Sequence, residues 1–359
     1  MKLLEFKYET TNANSMGYNN WYLESLSLNK INLIVGKNSV GKSRTVQLVS
    51  SFAKMITEQV PFVFFGKWNL KFENNDGIIV EYELNASNEV KAEMLSVNNS
   101  IVLNRNKNTT EIFSYTLEKF IKINPPSDKL VIHIRRDIVE FPFFEDIAQW
   151  AKQVHGFKFG NISPNALIID KKADRLTSVD EIPILLESLD KNHYESIIEN
   201  FNSLGYNLEN ISLKKDEGGA KIVVFEKGLK LGINQPQLSQ GMFRSLSILI
   251  FIEYLIVTKK VSTLIIDDLC EGLDYERAVK LGKLIIEKIE NSNIQLIATS
   301  NDSFLMDVIP IKYWNILHRE GNTVKSYNYQ NSKEIFDKFK MSGLSNFDLF
   351  SSDYLLQKQ

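Results

Sequence analysis

The chain has 359 residues, 43% hydrophobic and 24% charged, an ordinary globular composition with length enough for one large α/β domain or two modest ones. A formal charge of −2 excludes a global attraction to nucleic acid or anionic membrane and leaves only a local basic patch for such a role. The single cysteine, Cys270, excludes an intramolecular disulfide framework and fits a reducing cytoplasm.

The first residues, Met1-Lys2-Leu3-Leu4-Glu5-Phe6, carry an acid at once and lack a signal-peptide core. The longest apolar run, residues 246–257, is short of a membrane span and is interrupted by Ser247 and Glu253. The expectation is a soluble, cytoplasmic protein without a membrane partner. Residues 3–8 and 21–28 alternate as strands. Ile31-Asn32-Leu33-Ile34-Val35 then reads as a buried strand, and Arg44-Thr45-Val46-Gln47-Leu48-Val49 opens a helix. Between them stands Gly36-Lys37-Asn38-Ser39-Val40-Gly41-Lys42-Ser43, a complete G-x-x-x-x-G-K-S. In that setting the glycines let the backbone curl so that its N–H groups converge on phosphate oxygens, and the helix N-terminus adds partial positive charge. Lys42 is expected to reach the β- and γ-phosphates, and the Ser43 hydroxyl to ligate Mg²⁺. Tyr18, Trp21 and Tyr22, just upstream, are candidates to stack on adenine, although core packing is the commoner role of such residues.

Past the loop helix, residues 68–72, 78–84, 90–97 and 101–103 are rich in β-branched and aromatic side chains and separated by Asn, Asp, Gly and Ser. They predict an antiparallel sheet layered beside the nucleotide core. Val131-Ile132-His133-Ile134 reads as another buried strand, ending in Arg135-Arg136-Asp137. From 144 to 204 the spacing turns helical, at 145–154 and 182–189. The piece between, 156–180, reads as a surface excursion whose Lys171, Lys172 and Arg175 either touch a phosphate backbone or simply face solvent. Residues 211–213 and 221–225, joined by Asp216-Glu217-Gly218-Gly219, form a hairpin. There is no internal repeat or heptad run, and the four histidines have no metal-ligand spacing.

Leu264-Ile265-Ile266-Asp267-Asp268 is an apolar strand ending in two acids. Beside a phosphate-loop strand, its first acid, Asp267, serves the Mg²⁺ shell and the second, Asp268, orients or deprotonates water. Upstream, Gln237-Leu238-Ser239-Gln240-Gly241-Met242-Phe243-Arg244 opens a long helix with Ser239 at the N-cap. It is either a second anion position or a simply capped helix. Downstream, Glu271-Gly272-Leu273-Asp274 is a tight turn into a helix over 278–289. The strand 294–299 ends in Ser300-Asn301-Asp302, polar groups placed to sense a γ-phosphate.

These motifs in this order resemble the ATPase heads of the ABC type. Gly36–Ser43 is similar to a Walker A motif, with Asn38 at its asparagine; Leu238-Ser239-Gln240-Gly241 to the signature; Asp267 and Asp268 to the end of Walker B; Gly272-Leu273-Asp274 to the D-loop; and Asn301 to the switch. Within that superfamily the chain resembles the SMC-like and overcoming-lysogenization-defect-type ATPases, many of which belong to DNA repair or prokaryotic antiviral defence. The resemblance implies an α/β P-loop fold with an added antiparallel layer and a helical subdomain. It implies ATP and Mg²⁺ as cofactors, with Gly36, Asn38, Ser39, Val40, Gly41, Lys42, Ser43 and Arg44 around the phosphates. Ser43 and Asp267 are then the metal ligands and Asp268 and Asn301 the catalytic pair. It also implies a homodimer in which Ser239 and Gly241 of one protomer complete the other's site. The expected organisation is an N-terminal ATPase lobe (1–137), a helical insertion (138–206), a C-terminal ATPase lobe (207–330) and a docking tail (331–359).

Three departures point to slow hydrolysis. Asp268 stands for the usual glutamate, Asn301 for the usual histidine, and Arg135-Arg136-Asp137 occupies the place of a Q-loop glutamine. The expected function is an ATP-gated switch that controls a separate effector protein, with DNA or RNA as candidate ligands. The alternative is a scaffold that binds ATP without hydrolysing it. A transporter subunit fits poorly with the inserted sheet, and a GTPase with the missing guanine motif. No heptads remain for a coiled-coil arm, and the residues after Trp314 are too few for an appended nuclease. The apolar tail, with Ile335, Phe336, Phe339, Leu344, Phe347, Leu349, Phe350, Tyr354, Leu355 and Leu356, is either a docking element or part of the core.

Overall fold

The structure, a computed structural model, describes residues 1–11, 20–59, 65–165, 182–216, 219–341 and 343–351. Tyr18, Lys171, Lys172 and Arg175 lie outside the described residues. The chain divides into two units, Met1–Val154 with Lys312–Phe336, and His155–Ile311 with Asp337–Gln359.

The first unit is built on strands β1 (Lys2–Glu9), β2 (Tyr22–Ser27), β3 (Ile31–Gly36), β4 (Phe65–Glu73), β5 (Ile79–Ser87), β6 (Glu89–Val97), β7 (Ser100–Arg105), β8 (Thr110–Ser114) and β9 (Lys119–Lys122). The hairpin of Trp314–Glu320 and Thr323–Asn328 lies between β3 and β2, parallel to each. From β2 the sheet runs through β1 and β4 to β9 in sequence order, all antiparallel. Strand β3 is buried at every position, as the unbroken apolar run required. Strands β4 and β5 instead alternate, turning Trp68, Leu70, Phe72 and Val80, Tyr82, Leu84 inward. Against these pack Phe52 of the helix Lys42–Ile56 and Trp150 of the helix Phe143–Lys152: Phe52–Tyr82 ring centroids are 5.5 Å apart and Phe72–Trp150 4.7 Å. Each such side chain contributes about 1.5–3 kcal/mol by leaving water.

One sequence expectation is corrected here. Residues Val131–Ile134 form a short helix, not a strand. Their β-branched character favours extension, but tertiary bonds decide otherwise. Fully buried Glu93 accepts the Val131 N–H at 3.1 Å, and the Arg135 N–H closes back on the Val131 carbonyl at 2.9 Å. Glu93 also accepts from the Tyr82 hydroxyl and pairs with Arg105 at 3.5 Å, so its charge is compensated inside the sheet.

The second unit holds the parallel strands Ser262–Asp267 and Ile294–Thr299, joined by the helix Tyr275–Glu290, whose N-cap Asp274 accepts from the Arg277 N–H. The helix Gln240–Thr258 is longer than the apolar run suggested. It has the length and composition of a membrane span, yet 72% of its most apolar window is buried in the protein. Its Glu253 is held at 2.9 Å by His193 Nδ1 and at 3.1 Å by Lys288 Nζ, which ties it to the helices Lys191–Ser203 and Tyr275–Glu290. The expected hairpin forms from Leu208–Asp216 and Gly219–Glu226. The expected excursion after 156 is not wholly at the surface: Phe159 and Ile162 are buried in a 3₁₀ turn, Phe159–Asn161, and its exit. In the tail, Phe336, Phe339 and Leu349 are buried, and the Asn346 amide caps the helix Ser303–Val308 through the Asp307 and Ile309 carbonyls.

Candidate functional site: a phosphate loop and an acid pair

In the first unit, the chain leaves β3 at Gly36 and re-enters a helix at Lys42. Gly41 turns the corner with φ 112°, a conformation that favours glycine, and a Cβ there would lie 2.9 Å from the Trp21 ring. Ser39, at φ 66°, is also left-handed. A Cβ on Gly36 would meet Val40 Cγ1 at 2.7 Å, so the loop is closed as tightly as its backbone allows. Lys42 is buried, and its ammonium donates to the Gly36 carbonyl at 2.6 Å and to that of Lys37 at 3.2 Å. The charge that the motif requires is thus folded over the concavity of the loop. Thr45 Oγ1 donates to the Gly41 carbonyl at 2.9 Å, and Arg319 to that of Ser39 at 3.3 Å. Ser43 is half-buried in the first turn of the helix, and Arg44 is exposed.

Trp21 does not have a face free for adenine. It is buried beneath Gly41, and the Arg44 guanidinium lies 4.7 Å from its ring centroid. Its work is to brace the loop. Tyr22 remains exposed.

In the second unit, the two parallel strands end side by side. Asp267 is buried; its Oδ1 accepts from Thr299 Oγ1 at 2.7 Å, while its Oδ2 is buried without a hydrogen-bond partner among the described residues. A buried carboxylate oxygen left this way is costly, and it is the donor a divalent cation takes. The same Thr299 hydroxyl accepts the Asp268 N–H at 2.8 Å. Asp268 is held at φ 55°, a left-handed residue that turns the chain out of the strand. Its Oδ1 accepts from the Asn301 amide at 3.3 Å. Asp267, Thr299, Asp268 and Asn301 therefore form one connected group.

The turn Leu238-Ser239-Gln240-Gly241 lies in the same unit. Ser239 Oγ accepts from the Met242 N–H at 3.2 Å, so it is an N-cap. A Cβ on Gly241 would lie 3.1 Å from Leu273, which seats the turn on Gly272-Leu273-Asp274. Arg244, unassigned from sequence, joins these pieces: its buried guanidinium donates to the Ile162 carbonyl at 3.1 Å, to the Glu271 carbonyl at 3.0 Å and to the Gly160 carbonyl. Gly272, at φ 79°, lets Arg244 through, because a Cβ there would stand 2.7 Å from Nη1. Burial pushes the Cys270 thiol well above the usual range, so it is not a nucleophile. Thr299 and Arg244 are residues that no sequence motif singles out. Thr299 carried one signal, its place at the strand end just before Ser300-Asn301-Asp302.

Residues 31–307 match the family model AAA_21, described as "AAA domain, putative AbiEii toxin, Type IV TA system". The chain belongs to that family, and it is a nucleotide-binding protein of the P-loop ATPase type. No curated protein matches the sequence. Among solved structures it is similar to an Smc head bound to the C-terminal winged-helix domain of ScpA, with 12% identity and a TM-score of 0.53 over 93% of this chain and 100% of that one. It is likewise similar to an Smc head with an extended coiled coil bound to the C-terminal domain of ScpA, derived from Pyrococcus furiosus, with 11% identity and a TM-score of 0.53 over 94% and 100%. The fold is that of an SMC-type ABC ATPase head.

Proposed function

We propose that this protein binds and slowly hydrolyses ATP, closes around it as a homodimer, and thereby gates a separate effector protein in the cytoplasm. What carries the reading is the coexistence, in one chain, of a phosphate cradle with Lys42 folded over it and a buried acid, Asp267, with one oxygen fixed by Thr299 and the other lacking a hydrogen-bond partner among the described residues. Lys42 and the loop N–H groups from Asn38 to Arg44 bind and orient the phosphates. Ser43 and Asp267 hold Mg²⁺, which neutralises phosphate charge when bound. Asp268 positions or deprotonates the attacking water, and Asn301 holds the Asp268 carboxylate in place. An amide cannot exchange a proton as an imidazole does, and an aspartate reaches one methylene less far than a glutamate; both features favour slow turnover. Ser239 and Gly241 of one protomer complete the site around Lys42 of the other. The family description, which names a putative AbiEii toxin, supports a role in defence, and the solved heads that carry bound ScpA support a separate protein partner.

The Asp268–Asn301 hydrogen bond also favours a second reading, a scaffold that binds ATP and does not turn it over. One experiment addresses both. Lys42→Ala and Ser239→Asp, the latter preserving the N-cap while opposing a γ-phosphate, are assayed alone and mixed. ATPase rate and sedimentation are measured on each sample. Recovery of turnover on mixing supports the composite site. ATP-dependent dimers with no turnover establish the scaffold, and a wild type that stays monomeric with ATP, with no recovery on mixing, removes the dimer.

A further inference from the structure

Trp21 is an aromatic beside the phosphate loop whose ring is already occupied, and what occupies it is a charged plane. The indole is 2% exposed, lies against the corner of the loop at Gly41, and is backed by Tyr8 with 5.9 Å between ring centroids. The Arg44 guanidinium sits over this ring, 4.7 Å from its centroid. A second contact fixes it there. Arg44 Nη2 donates to Thr10 Oγ1 at 3.2 Å, and Thr10 is itself tied to the Trp21 carbonyl by its N–H at 2.9 Å and its hydroxyl at 3.2 Å. Among the described residues no carboxylate pairs with Arg44, and its side chain is exposed. A planar cation that is seated on an indole, uncompensated and open to solvent is ready for a ligand with a π face.

Its place in the cradle says which ligand. The Lys42 ammonium lies over the start of the loop, on the Gly36 and Lys37 carbonyls, and is the group that reaches β- and γ-phosphates. Gly41 and Arg44 flank Lys42 at the other end, where the loop passes into its helix. A nucleoside is joined to the α-phosphate, so it leaves the cradle on the side away from that ammonium. Bases stack on guanidinium planes as they do on aromatic rings. We propose that the Arg44 guanidinium, seated on Trp21, is the plate on which the purine base of a bound nucleoside triphosphate stacks. Arg44 is then the residue through which the loop distinguishes a nucleotide from triphosphate alone. The inference rests on the phosphate-loop function proposed above and adds to it the recognition of the base. An ionic role toward the α-phosphate is the competing use of the same charge, and a lysine separates the two, having the charge without the plane.

Calorimetric titrations of the full chain in Mg²⁺ compare ATP with inorganic tripolyphosphate on the wild type, Arg44→Lys, Arg44→Ala and Tyr22→Ala. The ratio of the two affinities isolates what the nucleoside adds, because the backbone N–H groups of the loop survive in every variant. ATP is expected to bind the wild type more tightly than tripolyphosphate, and that ratio should fall by roughly tenfold in both Arg44 variants. Arg44→Lys keeps an aliphatic stem over Trp21, so its melting temperature should stay near that of the wild type even where Arg44→Ala loosens the loop. Tyr22, the other exposed aromatic here, should leave the ratio as it is. Equal affinity of the wild type for the two ligands, a ratio preserved in Arg44→Lys, or a ratio lost in Tyr22→Ala in place of Arg44→Lys would each overturn the plate while leaving the phosphate cradle standing. A wild type that binds neither ligand would remove the cradle, and the plate with it.

Discussion

In the phosphate loop, the bond that sets the charge, Lys42 to the Gly36 carbonyl, spans six residues of sequence. At the acid pair, the bonds from Thr299 to Asp267 and from Asn301 to Asp268 span 32 and 33 residues, and they exist only because two parallel strands end together. The first site is made by local backbone geometry, with Trp21 as its main brace. The second is made by side chains delivered from separate strand ends. The contrast predicts where each will fail. The loop should lose function without losing structure, whereas the acid pair should lose both together through Thr299.

The largest effect is expected at Lys42. Lys42→Ala should weaken ATP·Mg²⁺ binding about a hundredfold or more, since charge-assisted phosphate contacts of roughly 1.5–3 kcal/mol are lost. Calorimetric titration beside a melting curve checks this, and an unchanged affinity would overturn the loop assignment. Next comes Asp268→Asn, which should lower turnover by about a hundredfold with nucleotide affinity nearly intact. Equal losses in binding and turnover would show that Asp268 holds the nucleotide and leaves the water to another group. Smaller in function but larger in stability is Thr299→Val. It strips a donor from buried Asp267 and an acceptor from the Asp268 N–H, and should cost about 2 kcal/mol in urea unfolding while Thr299→Ser costs little. A valine variant as stable as the wild type would mean that the two sites do not differ as argued.

The smallest effect is a slope. Burial lowers the His133 pKa from its ordinary 6.5, with its Nε2 at 2.9 Å from the Met55 carbonyl of the loop helix. The folded state therefore prefers the neutral ring, so this contribution is present above 6.5 and is lost as pH falls below it. Melting temperatures between about pH 7.5 and 5.5 should fall more steeply for the wild type than for His133→Gln. Parallel slopes would remove His133 as a source of acid sensitivity in the first unit.

By itself the sequence determined whatever depends on short stretches of backbone. The glycines and Lys42 specify the phosphate loop within eight positions, because φ preference, strand burial and helix initiation are local properties. The same holds for the alternation of β4 and β5, the Ser239 cap and the order of motifs that placed the chain among ATPase heads. Tertiary structure alone decided the rest. Residues 131–134 coil because Glu93, distant in sequence, takes the Val131 N–H; no propensity of Val or Ile encodes that bond. Trp21 packs against the loop and not a base because Gly41 and Arg44 lie against its ring. Thr299 and Arg244 owe their roles to which carboxylate and which carbonyls the fold brings within hydrogen-bonding distance. A side chain's partners are set by chain segments that meet only on folding, whereas a backbone turn carries its instructions in its own residues.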